Sequence, residues 1–154
     1  MTDKDTPNGI LKLETYWPYQ VTVLADRIAR RTSSIVKRYQ LNLSQWRVLA
    51  AVAEVPGRTS VEVVTITPMD KGIVSRATKA LLEMDLLHRV ASQTDGRISH
   101  LHMTQRGESL YQTILPQVLN ILECVGTQFD ANDLERLSDQ LKALLTVVPD
   151  LRSD

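Results

Sequence analysis

The sequence predicts a mainly α fold with a small two-stranded β-wing, on three observations. Apolar residues recur at spacings of three and four along most of the chain. That period shortens to two between residues 88 and 103. Residues able to cap a helix stand at the head of most apolar runs. The 154 residues, 43% hydrophobic and 23% charged, fit one folded domain, or one domain with an oligomerisation appendage. Only 5% are aromatic, so the core must be built from aliphatic side chains, as packed helices allow.

Residues 1–14 place Pro7, Asn8 and Gly9 among charges without a sustained period and read as a flexible N-terminal arm. From Trp17, with Pro18 at the first turn, Val21, Leu24, Ile28, Arg31 and Ile35 predict a long first helix ending near Tyr39. Ser44 is the expected N-cap of a second helix over 45–55, with Trp46, Leu49, Ala50 and Ala53 inward, closed by Pro56-Gly57. Thr59 with Glu62 three residues on forms a capping box for a short third helix, 61–66. Thr67, Pro68 and Asp70 suggest the same device again, opening a fourth helix over 68–85. Its inward side is expected to hold Ile73, Ala77, Ala80, Leu81 and Met84, with Lys71, Ser75, Arg76 and Lys79 over the rest.

Strands follow over 88–92 and 98–103, joined by a turn containing Asp95-Gly96. Alternation puts Ser99, Leu101 and Met103 on one face and Ile98, His100 and His102 on the other. Thr104 caps a fifth helix carrying Leu110, Ile114, Leu119 and Leu122, with Phe129 beyond and a bend expected at Pro116. Asp130 opens a sixth, striped by Leu134, Leu137, Leu141, Leu144, Leu145 and Val148 and stopped by Pro149.

Several function classes fall away. One cysteine, Cys124, leaves no intramolecular disulfide and no multi-cysteine metal site; within its leucine-rich stretch it reads as a small buried hydrophobe. His88, His100 and His102 share the wing, yet no cysteine or carboxylate joins them at ligand spacing, so no metal is expected. No Gly-rich phosphate loop or nucleophile elbow is present, so neither an enzyme nor a bound cofactor is expected. No apolar run approaches the roughly 18 residues of a membrane span, and the polar, acidic first residues lack a leader's pattern, so a cytoplasmic protein is expected.

The net charge is zero, with 18 basic and 18 acidic residues, but its distribution is uneven. Residues 27–106 hold 13 basic and 6 acidic side chains, so a neutral chain can still present a face to a polyanion. The order from residue 44 is helix, helix, tight turn, helix, hairpin: a helix-turn-helix with a wing. A helix fits the DNA major groove, and a ribbon tip bearing a guanidinium fits the minor groove beside it. Lys71, Ser75, Arg76 and Lys79 are therefore the candidate readers, and Arg97 the minor-groove candidate.

From Leu43 to Gly107 the chain resembles the MarR family of bacterial winged-helix transcriptional regulators. Leu43 to Val52 is similar to the family's second helix, and Met69 to Ala77 with Leu81-Leu82-Glu83 to its recognition helix. Asp95-Gly96-Arg97, Leu101, Met103-Thr104 and Gly107 match the spacing of its wing signature. Val64, Met103 and Gly96 depart from the usual residues. The resemblance implies a winged helix-turn-helix DNA-binding domain at 43–103, with the helices of 15–42 and 104–149 forming a homodimerisation region. It also implies that Asp95 supports the wing and that the dimer binds a pseudo-palindromic operator on double-stranded DNA. Repression relieved by a small aromatic or carboxylate effector is the expected mode of action, with Tyr16, Trp17, Tyr19, Trp46 and Arg47 as the candidate pocket. A winged helix that binds protein or RNA instead is the alternative.

Overall fold

The computed structural model describes residues 10–93, 95 and 97–150. Most of the proposed N-terminal arm, together with Thr94 and Gly96, lies outside the described residues. The order is α1 (Trp17–Lys37), α2 (Leu43–Glu54), α3 (Ser60–Ile66), α4 (Lys71–Glu83), β1 (Leu87–Ala91), β2 (Ser99–Met103), α5 (Gln105–Gly126) and α6 (Ala131–Val147). The chain divides into two compact units at Leu43/Ser44.

In the first unit, α1 starts at Trp17 with Pro18 in its opening turn. It closes through Gln40, whose φ of 60° lets the Leu41 N–H reach the Val36 carbonyl at 3.2 Å. That turn is complete by Leu41, so α2 begins at Leu43 and Ser44 lies inside the helix instead of capping it. Ile35, Val36 and Leu41 are buried, while Val21, Leu24 and Ile28 stay exposed.

The second unit holds the winged helix. α2 is buried on more than one side: Val48, Ala51 and Val52 join Trp46 and Leu49 in the core, while Ala50 and Ala53, the expected inward residues, are half-buried. The capping box of α3 forms as read, with the Glu62 N–H donating to Thr59 Oγ1 and the Thr59 N–H donating to Glu62 Oε2 at 2.7 Å. The Glu62 carboxyl is held below its ordinary pKa, first by the Thr59 backbone N–H, then by the Thr59 hydroxyl, with the Arg58 guanidinium a smaller contributor.

β1 and β2 pair antiparallel, with His88 opposite His102 and Arg89 opposite Leu101. Both strands start one residue away from the expected positions: β1 earlier, at Leu87, which is buried beside Leu86, and β2 later, at Ser99, the partner of Ala91. A third segment pairs with β2 that periodicity could not show. The Gly57 N–H donates to the Leu101 carbonyl and the Leu101 N–H to the Arg58 carbonyl, each at 2.9 Å. Two residues are too few to alternate. Leu101 is fully buried.

α5 runs unbroken through Pro116, with Thr104 as its cap. In α5 only Gly107 and Ile114 are buried, and in α6 no residue is. Cys124 is exposed, which corrects its reading as a buried hydrophobe: its turn of α5 meets no core within the chain.

Thr78, at 0% exposure on α4, has a hydroxyl without a hydrogen-bond partner. Thr78→Val keeps the shape and removes a stranded polar atom. It should raise stability by roughly 1 kcal/mol, read from urea unfolding; a loss of that size would mean the hydroxyl is satisfied in solution.

Candidate nucleic-acid interface

The start of the reader helix is set by three residues before it. The Thr67 hydroxyl donates to the Val63 carbonyl at 2.7 Å, closing α3, and Met69 is buried at 2% exposure. Asp70 then holds extended backbone and accepts the Ile73 N–H at 2.7 Å, so it is the N-cap. The helix therefore begins at Lys71 and not at Pro68. Thr67 is the C-cap of α3, and the cap of the reader candidate is Asp70. One first-turn amide is thereby spent on the Asp70 carboxylate, which leaves fewer free amides at this helix end for an anion.

α4 sorts its residues cleanly. Val74, Ala77, Thr78 and Leu81 are buried, with Ile73 and Met84 only half so, a shift of one residue from the expected inward side. Lys71, Ser75, Arg76 and Lys79 are all exposed on the remaining surface. Arg76 folds back along the helix, and its Nη1 lies 3.4 Å from where a Cβ on Gly72 would stand. Lys79 lies 3.8 Å from Glu83, an exposed pair worth little, so its ammonium remains available.

The wing tip is held by its own carboxylate. Asp95 Oδ1 accepts the Arg97 backbone N–H at 2.9 Å, and the Asp95 carbonyl accepts the Ile98 N–H at 2.9 Å. Asp95 thus braces the turn through the main chain, and Arg97 is exposed. At the wing base His88 stacks on His102, ring centroids 5.7 Å apart, while His100 Nδ1 bonds the Gly57 carbonyl at 2.7 Å. No group of three or more His, Cys, Asp or Glu among the described residues is arranged to hold a metal.

The effector candidates fare unevenly. Trp46 is buried and stacks on Tyr111, centroids 5.3 Å apart at 16°, which commits its ring to the core of the second unit. Arg47 is half-buried. In the first unit Tyr16, Trp17 and Tyr19 are exposed. Tyr19 also lines an open groove of about 260 Å³ with Leu13, Glu14, Gln20, Val23, Leu24 and Arg27.

Comparison with known proteins is consistent throughout. Residues 39–98 match the model of the MarR family. The chain is 29% identical over 111 residues to the HTH-type transcriptional regulator MgrA of Staphylococcus aureus, covering 69% of this chain and 73% of that one. A MarR-family regulator from Silicibacter pomeroyi shares the fold with a TM-score of 0.81 at 18% identity, covering 90% of this chain and 93% of that one. A mutant MarR from E. coli, crystallised with operator DNA, does so with a TM-score of 0.73 at 16% identity, covering 86% and 95%. Sequence motifs, the family match over residues 39–98 and the fold agree in making this chain similar to the MarR family.

Proposed function

We propose that the protein is a cytoplasmic, sequence-specific transcriptional regulator that binds a pseudo-palindromic DNA operator as a homodimer, most simply as a repressor. One observation carries this reading: four polar or basic side chains of α4 and the braced wing arginine stand exposed on one winged helix. The E. coli relative, whose crystal holds operator DNA, has the same fold. In this reading α4 enters the major groove, with successive half-sites about 34 Å apart. Arg97 enters the minor groove, where narrowing concentrates negative potential. The exposed apolar residues of α1, and separately those of α5 and α6, support dimerisation. No helix among the described residues is long and apolar enough to cross a membrane.

Relief by a small phenolic or carboxylic effector belongs to the same proposal, with exposed Tyr16, Trp17 and Tyr19 as the side chains kept for it. Trp46 is better assigned to packing, because its ring is already covered by Tyr111.

Selection of bound duplexes from a random library tests the reading: a recurrent inverted repeat is expected, and an unenriched pool would refute it. Arg97→Ala should then weaken binding by about 1–3 kcal/mol with the dimer intact. Unchanged affinity would remove the wing from DNA reading. Arg76→Ala should weaken operator binding by a similar amount. If Arg76 reads a base, preference relaxes at one position; if it holds phosphate, all sequences weaken alike and the salt slope falls by about 1.

A further inference from the structure

At the C-terminus of α4 the chain turns through Asp85, whose φ of 56° is left-handed, and the Leu86 N–H closes the helix onto the Leu81 carbonyl at 2.9 Å. The carbonyls of this corner point toward the start of α5. Thr104 meets both: its hydroxyl donates to the Asp85 carbonyl at 2.7 Å and its N–H donates to the Leu86 carbonyl at 3.1 Å. The same hydroxyl accepts the Gly107 N–H at 3.0 Å, so it caps α5 while gripping the end of α4. Gly107 completes the joint. A Cβ there would stand 2.0 Å from the Leu86 carbonyl oxygen, so the first turn of α5 lies directly on the backbone of the corner. Leu86 and Leu87 are buried at 1% and 2% exposure, which anchors the corner in the core.

We propose that Thr104 is a positioning residue for DNA recognition, fixing the orientation of the recognition helix relative to α5 by clamping the Asp85–Leu86 corner. The inference rests on the reading of α4 as the DNA-reading helix. Ordinary N-cap residues serve one helix, whereas this hydroxyl bridges two, donating to the corner of one and accepting from the first turn of the other. Tilting α4 on α5 breaks the hydroxyl's bond to the corner. Because α5 carries an exposed apolar face and only two buried residues, its far end is free to join a partner chain, and the joint then passes the dimer's geometry to the reader. A loosened joint should leave contacts within one half-site intact while blurring the distance between two.

Thr104→Val removes both hydroxyl bonds at constant shape, and Thr104→Ser keeps them. Two measurements on the full-length protein separate the joint from the DNA reading. In the first, spin labels at Lys79→Cys and Gln112→Cys, in a Cys124→Ser background diluted with unlabelled chain, report the α4 to α5 distance distribution. A distribution that broadens in Thr104→Val and is restored in Thr104→Ser supports the joint; an unbroadened one overturns it. In the second, affinity is compared between the selected operator and versions with one base pair added or removed between half-sites. The parent protein and Thr104→Ser should lose about tenfold or more on the altered spacers, and Thr104→Val less than about threefold. Thr104→Val that broadens the distance yet keeps the full spacing penalty overturns the positioning role. A parent protein that selects no operator refutes the proposed function, and the distance measurement alone then decides the joint.

Discussion

Replacing Gly107 by alanine should destabilise the protein by about 3 kcal/mol or more, the largest effect expected of alanine at any glycine among the described residues. The sign is the informative part. Inside a helix, glycine to alanine normally stabilises by up to about 1 kcal/mol, because alanine loses less backbone entropy. At Gly107 the added methyl meets the Leu86 carbonyl oxygen at 2.0 Å, with the carbonyl carbon at 3.0 Å, and both belong to a buried main-chain corner that cannot rotate away. Gly126, in the same helix, is the control: nothing lies within 4 Å of a Cβ there. Gly126→Ala should therefore leave stability unchanged or raise it by a few tenths of a kcal/mol. Urea unfolding of the two variants checks the contrast. Equal behaviour would show that the approach of α5 to Leu86 is looser than the structure has it.

The second large effect is expected on α6. Leu137, Leu141 and Leu145 recur at spacings of four, and their exposures of 47%, 39% and 79% leave the stripe without a core within the chain. Burying a leucine is worth about 1.5–3 kcal/mol, and in a two-fold interface each substitution acts twice. Leu137→Asp combined with Leu141→Asp should therefore convert a dimer into monomers at micromolar concentration and abolish operator binding. Because no α6 residue is buried in the single chain, the helical content of the winged helix should persist. Sedimentation velocity with circular dichroism reads both quantities. A double variant that remains dimeric would place the interface elsewhere.

The order of elements was legible in the sequence because each left a periodic or capping signal of several residues. Thr59 with Glu62, Thr104 and Asp130 all cap the helices they were expected to cap. Difficulty arose where one residue could serve two neighbours. Thr67 and Asp70 both suit an N-cap, and the structure uses Asp70, with Thr67 closing α3 instead. The pairing of Gly57-Arg58 with β2 had no sequence signal long enough to detect. The close approach at Gly107 is a tertiary fact; the wing signature marked the glycine without giving its reason. Burial of α2 on several sides followed from the density of neighbours, which a one-face template for an amphipathic helix does not anticipate. The exposure of Cys124 has the opposite cause, since its apolar surroundings in α5 find no core in their own chain. Among the DNA-reading candidates, Lys71, Ser75, Arg76 and Lys79 are exposed on α4 and Arg97 is exposed in the wing turn.

The most direct test of the central claim is fluorescence anisotropy of the intact protein on a duplex from upstream of its own gene or from library selection, against a scrambled duplex, across a salt series. Binding to the specific duplex should be at least about a thousandfold tighter than to the scrambled one at physiological salt. Both affinities should fall steeply as salt rises, in proportion to the phosphates contacted. Equal, weak binding to a library-selected duplex and its scrambled counterpart would contradict the account and assign the exposed face of α4 to a partner other than DNA.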